Sequence, residues 1–177
     1  MVGRHEFAQM SVLVIDNNAH MMSIFKTILK GLGVGKAFEA SDAPKAFETL
    51  RNESIDLAIV EHRLETLTGI EFVQMVRNAK DSSNPYVPII MATDHAERRR
   101  VEEARDAGVT EFLLKPISAT ALSDRIISAI GQPRPFVRAN QYAGPDRRRH
   151  DPHGFSGEDR RRDGEPRTRQ STPAARN

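Results

Sequence analysis

Four short apolar runs in this 177-residue sequence end on polar side chains that could do chemistry. Ser11 to Ile15 leads into Asp16 and Asn17, and Ile55 to Val60 into Glu61. Val87 to Met91 leads into Ala92-Thr93-Asp94, and Phe112 to Leu114 into Lys115-Pro116. These run ends supply carboxylates, an amide, a hydroxyl and an ammonium. Asp16 and Glu61 are the pair among them that could divide general acid and base work.

The runs are rich in Val, Ile and Leu without polar alternation, which is how strands buried on both faces read. A weaker run spans Lys36 to Ala40. Between the runs the apolar spacing is helical: Met22, Phe25, Ile28, Leu29 and Leu32; Ala43, Ala46, Phe47 and Leu50; Phe72, Val73 and Val76; Val101 and Ala104 up to Gly108; and Ala121, Leu122, Ile126 and Ala129. Ser41, Asp94 and Ser118 precede such segments as N-caps. Alternation of this kind predicts an α/β fold, a doubly wound, five-stranded parallel sheet with helices on both faces. In such a sheet ligands meet the carboxyl ends of the strands, so Asp16, Asn17, Glu61, Thr93 and Lys115 are expected to converge there.

Composition bounds the rest. Cysteine is absent, which excludes disulfides, thiolate metal sites and thiol nucleophiles. Val12 to Ile15 is too short for a signal sequence core or a membrane span, so the chain reads as cytoplasmic, with no membrane span. Residues 1–131 hold 15 Lys and Arg against 18 Asp and Glu, net −3; residues 132–177 hold 11 Arg, no Lys and 6 Asp and Glu, net +5. The second segment has Val137 as its only Leu, Ile or Val and six of the ten prolines, too little apolar surface to offset the entropy of ordering. The expected organisation is a lead-in over 1–9, a domain over 10–131 ending at Gly131-Gln132-Pro133, and a flexible Arg-rich tail over 132–177.

"VLVIDNN", "IDLAIVEHRLETLTG", "PIIMATD" and "EFLLKPIS" resemble the four signature segments of response-regulator receiver domains, in order and at suitable spacing. The resemblance implies a flavodoxin-like receiver fold in two-component or phosphorelay signalling, and no enzyme activity of its own. It implies that the end of the first strand and the end of the third hold Mg²⁺, and that the third-strand residue takes a phosphoryl group from a histidine kinase. Thr93 then takes the switch hydroxyl position, Lys115 the ammonium position with a cis peptide bond before Pro116, and Phe112 the aromatic switch position. The expected partners are a histidine kinase or an output protein. A homodimer is expected through the face made by the fourth helix, fifth strand and fifth helix of the repeat.

The departures from that pattern set the functional expectation. Glu61 stands at the phosphoacceptor position, one methylene longer than Asp, roughly 1.5 Å. Asn17 replaces an acid, so Mg²⁺, if held by Asp16, Asn17 and Glu61, is held more weakly. Asp94 follows the switch Thr93 where a small residue is usual, and Glu65, two residues beyond Arg63, replaces the usual proline. The expectation is a degenerate phosphorylation site in a pseudo-receiver, with Glu61 paired to Lys115 and the chain acting as a protein-interaction module. The alternatives are a phosphorylation-competent single-domain response regulator and a flavodoxin-like enzyme acting on a small ligand.

Other features have blander readings. His62 and His95 flank the site, but the six histidines lack metal-site spacing. "GLGVG" at 31–35 follows a helix and reads as a C-cap and turn. "AERRRVEEARDAG" reads as a solvated helix laced with i, i+4 ion pairs, and its mixed charge also suits an interface. The tail repeats itself: "YAGPDRRR" at 142–149 returns as "FSGEDRRR" at 155–162. Tyr142, Arg147, Arg148, Arg149, Phe155, Arg160, Arg161 and Arg162 form this motif. It is expected to bind an acidic protein partner bivalently; RNA or anionic lipid held by arginine and aromatic groups and a plain solubilising tail are the alternatives.

Overall fold

In the computed structural model the described residues are 4–79, 82–94, 97–139 and 142–146. The elements run α1 Arg4–Phe7, β1 Ser11–Ile15, α2 Ala19–Leu32, β2 Lys36–Ala40, α3 Ala43–Asn52, β3 Leu57–Glu61, α4 Gly69–Asn78, β4 Ile89–Thr93, α5 Arg98–Ala107, β5 Glu111–Leu114, α6 Ala119–Gly131, β6 Phe136–Ala139 and β7 Tyr142–Pro145. The first five strands form one parallel sheet in the order β2-β1-β3-β4-β5. The order reverses between β1 and β3, so a crevice opens beyond the ends of those two strands.

The sheet's two faces are both apolar because alternate residues feed opposite layers. Leu13, Ile15, Ala58, Val60, Ile89 and Met91 pack against Ala46, Leu50, Phe72, Val73, Val76 and Ala104 of α3, α4 and α5. Val12, Val14, Leu57, Ile59, Ile90 and Leu113 pack against Phe25, Leu29, Leu122 and Ile126 of α2 and α6. The central strands β3 and β4 are buried along their whole length, while β2 at the edge is mostly exposed. That edge position explains why Lys36 to Ala40 is the weaker run.

Helix starts follow local chemistry. Asn18, Asp42, Thr68 and Ser118 cap α2, α3, α4 and α6, and Thr68 forms a capping box with Glu71. The caps expected at Ser41 and Asp94 need correction. Asp42 takes the α3 cap, with the Ser41 hydroxyl donating to its carboxylate at 3.0 Å. Glu97 precedes α5 and makes no side-chain cap bond. The glycine run at 31–35 ends α2 at Gly33, a left-handed C-cap.

Two expected boundaries also shift. The lead-in contributes to the core, since Phe7 is buried in the layer under α2 and α6. Past Gly131, where α6 does stop, the chain does not become a free tail at once: β6 and β7 pair as an antiparallel hairpin. The hairpin compensates for its lack of aliphatic residues in another way. Arg77 of α4 is 1% exposed and donates to the main-chain oxygens of Gly108, at 3.1 and 3.0 Å, and of Pro85, at 2.8 Å. Its guanidinium lies 5.5 Å from the Phe136 ring centroid, and Phe136 stacks edge-on with Tyr86 at 4.7 Å. Val137, the segment's lone aliphatic residue of its kind, is 38% exposed and carries none of this packing.

Candidate functional site

The parallel sheet delivers the strand-end residues to one rim. Asp16 follows β1 directly and is 2% exposed. Its Oδ1 accepts the Asn18 N–H at 2.8 Å, while Asn18 Oδ1 accepts the N–H groups of His20 and Met21. Asn18 therefore fixes the start of α2 and the Asp16 carboxylate together. Sequence reasoning missed this role, although an Asn just before a helical run is a readable cap signal.

Glu61 is the last residue of β3 and is 7% exposed. Its Oε2 accepts the Lys115 ammonium in a direct ion pair, and its Oε1 accepts the Arg63 N–H at 3.2 Å. Gly69, at the start of α4, passes so close to the Glu61 carbonyl that a side chain there would collide with it. This close approach closes the loop after Glu61, with Gly69 N–H donating to His62 O at 2.8 Å.

Lys115 is reached through β5, its N–H donating to Thr93 O at 3.0 Å, and the Lys115-Pro116 bond is cis. Its Nζ stands 3.7 Å from Asp16 Oδ2. That oxygen is buried and has no hydrogen-bond partner among the described residues. The Asp16 pKa is pushed up from the ordinary carboxylate value, first by burial and then by the nearby Glu61 charge, against the opposing pull of the Asn18 N–H and Lys115.

The expected site residues divide accordingly. Asp16, Glu61 and Lys115 come together in a charged trio, and Thr93, at the end of β4, is buried beside the β5 exit. Asn17 is exposed. Phe112 is half-buried on β5, packed against the layer formed by α3, α4 and α5. Asp94 is exposed; His62 lies 3.4 Å from Arg100 Nη1, and His95 is outside the described residues. Among the described residues no group of three His, Cys, Asp or Glu side chains could hold a metal ion. Of the repeat, Tyr142 is in β7; Arg147, Arg148, Arg149, Phe155, Arg160, Arg161 and Arg162 lie outside the described residues. Sequence reasoning also missed Arg77 and Arg134, because a cation held by carbonyls has no sequence signature.

On α5, Arg98 pairs with Glu102 at 2.8 Å and Arg99 with Glu103 at 2.9 Å, the solvated i, i+4 pattern expected of that helix. No helix among the described residues is long and apolar enough to cross a membrane.

Fold and rim together define a receiver-type doubly wound α/β protein. The family model for the response regulator receiver domain matches residues 12–127, and the chain belongs to that family. The chemotaxis protein CheY of Pseudomonas aeruginosa is 31% identical over 117 residues, covering 66% of this chain and 93% of that protein. The solved chemotaxis response regulator CheY4 of Vibrio cholerae shares 25% identity at a TM-score of 0.61, covering 67% of this chain and 97% of that one. The receiver domain of the sensor histidine kinase PA1611 of P. aeruginosa, solved with a coordinated magnesium ion, shares the fold at 24% identity and a TM-score of 0.61, over 69% of this chain and 98% of that one. The family match ends before the β6-β7 hairpin and the repeated arginine motif.

Proposed function

We propose that this receiver is a pseudo-receiver: it signals by presenting a surface to a protein partner, and Glu61 does not take up a phosphoryl group. The observation that carries this reading is the ion pair of Glu61 with Lys115 at the buried end of β3. A phosphoacceptor must offer a free carboxylate oxygen in line with its donor, and misplacement of about 1 Å can cost on the order of 100-fold in rate. Here Oε2 is on the ammonium and Oε1 on the Arg63 N–H. A carboxylate carries about one charge against nearly two for a phosphoryl group, so Glu61 reproduces an activated state only in part.

Mg²⁺ finds a poor seat on this reading. Asp16 offers one buried oxygen, but the Lys115 ammonium is 3.7 Å away, Glu61 is engaged and Asn17 is exposed and neutral. The partner is a histidine kinase or an output protein, and the surface formed by α5, β5 and α6 is the one proposed for it or for a second copy of the chain.

The test is incubation of the chain with acetyl phosphate or phosphoramidate and Mg²⁺, followed by intact mass measurement. No added mass is expected for the native chain, and a stable adduct on Glu61 overturns the proposal. Glu61→Asp combined with Asn17→Asp is expected to gain a phosphoryl adduct. A second reading, a competent receiver, is favoured by the buried Asp16 Oδ2 with no hydrogen bond, the type of atom a cation would engage; the same mass measurement decides it.

A further inference from the structure

A cavity of about 440 Å³ opens where β1 and β3 begin, at the opposite end of those strands from Asp16 and Glu61. Its apolar walls come from both ends of the domain. Met10 precedes β1, Ala129 and Ile130 belong to the last turn of α6, and Pro133 follows that helix; Pro88, ahead of β4, completes them. Most of this lining falls outside residues 12–127, so the family pattern alone does not build the cavity.

Both walls are fastened to the body. On one side the Gly35 N–H donates to Phe7 O at 3.0 Å and the Lys36 N–H to Met10 O at 2.9 Å. A β-carbon on Gly35 would collide with Ala8 O, so glycine is what lets the segment before β1 lie this close to β2. On the other side α6 ends at Gly131, and Arg134 donates to Thr110 O and, at 3.2 Å, to Asp146 O. The cavity is therefore preformed, as small-ligand sites usually are, and its volume lies within their range of about 300–1,000 Å³.

The polar part of the lining has one sign of charge. It consists of Glu6, Gln9 and Asp56, with no basic side chain among the described residues that line the cavity. Asp56 is held at the start of two strands: its N–H donates to Ser11 O at 2.9 Å, and its Oδ2 accepts the Ser11 N–H at 2.8 Å. No ion pair neutralises this carboxylate among the described residues. An anion would be repelled here, and a neutral apolar molecule would desolvate the carboxylate without pairing it. A protonated amine would instead make a charge-assisted hydrogen bond to a group already oriented.

We infer that this cavity binds a small organic cation, an ammonium carried on an apolar body, with the ammonium on Asp56 and the body against Met10, Ala129 and Ile130. Glu6 adds a second negative charge to the same lining.

The test is amide chemical-shift mapping of the full chain with tryptamine as the probe. Indole-3-propionate, with the same body and a carboxylate for the ammonium, and ethylammonium, with the charge but not the body, are the comparisons. Tryptamine is expected to bind with a Kd on the order of 1 mM, as suits so small a ligand, and to shift the amides of Met10, Ser11, Asp56 and Ile130. The other two are expected to bind at least about tenfold more weakly. Asp56→Asn keeps an oxygen for the Ser11 N–H and should weaken tryptamine about tenfold. Pro133→Arg, at an exposed position, brings a competing cation to the lining and should weaken it similarly. Either comparison probe binding as tightly as tryptamine, either variant binding tryptamine like the native chain, shifts centred on Asp16 and Glu61, or no shift at all would each overturn the inference.

Discussion

The molecule holds a cation at each end of its β4-β5 edge and stabilises the two in opposite ways. At the carboxyl end, Lys115 meets Glu61 directly and Asp16 at 3.7 Å, an arrangement with two carboxylates to one ammonium. At the other end, Arg77 is more deeply buried and is held by three hydrogen bonds to main-chain oxygens and by the face of Phe136. Desolvation lowers the Arg77 pKa to about 10, so the guanidinium is still charged at neutral pH. The first arrangement is electrostatic and belongs to the region shared with the receiver family. The second depends on shape and lies under a hairpin outside the family match. A charged trio can be altered by changing charge alone, whereas the Arg77 junction rests on hydrogen bonds to neutral carbonyls and on close packing.

The largest effect is expected where removal of one group leaves buried charge. Lys115→Met strands Glu61 and Asp16 together, and loss of one partner from a buried pair costs about 3–5 kcal/mol. Thermal denaturation is expected to show this loss at neutral pH and to show it shrinking as pH falls through the carboxylate range, because protonation of Asp16, whose pKa is already raised, removes part of the unpaired charge. A loss independent of pH would mean that Lys115 acts through packing. Arg77→Met is expected to cost about 2–4 kcal/mol, since it leaves the carbonyls of Gly108 and Pro85 without their donors. This loss should be flat across the same acidic range, which is the sharpest contrast between the two ends. The hairpin amides should then exchange with solvent ahead of those in β1 and β3.

The difference between these ends also explains what could be read in the sequence. β1, β3 and β4 were legible because strands buried on both faces are unbroken Val, Ile and Leu runs, and their polar terminators followed from the position of strand ends in a parallel sheet. The pairing of Glu61 with Lys115 came from the resemblance and the residue types. Asp42 displaced Ser41 as a cap because neighbouring residues of similar capping strength cannot be ranked without the backbone. The hairpin was illegible for a stronger reason. Its docking depends on Arg77, which lies about sixty residues upstream in the chain, and on a glycine-on-glycine contact, neither of which raises the hydropathy of residues 132–146. Low aliphatic content predicted a free tail from Gln132 onward, and over residues 132–139 and 142–146 arginine hydrogen bonds to main-chain oxygens reversed that outcome.

Geometry alone should break the junction at Gly144. A β-carbon there meets Gly108 Cα at 2.7 Å and the Tyr142 hydroxyl at 2.7 Å. Gly144→Val is therefore expected to undock the hairpin at a cost of about 1–3 kcal/mol. Amide chemical shifts should change around Tyr86, Gly108 and Phe136 and stay fixed around Asp16 and Glu61. Shifts spreading to the rim would show that the two ends are coupled through β4 and β5.

The smallest effect, and the only stabilising one, is expected at Asp16. Its pKa is raised, so the folded state binds a proton more readily than the unfolded chain, and stability falls as pH rises through the folded pKa. At neutral pH the buried carboxylate therefore costs stability despite its neighbouring ammonium, because desolvation and the Glu61 charge outweigh Lys115 and the Asn18 N–H. Asp16→Asn keeps an oxygen to accept that N–H and removes the charge. It should raise the Tm by roughly 2–4 °C at neutral pH for a chain of this size, with the gain disappearing in acid. A lower Tm would mean that Lys115 depends on both carboxylates, and the trio would then be a single electrostatic unit, not a Glu61-Lys115 pair with a strained neighbour.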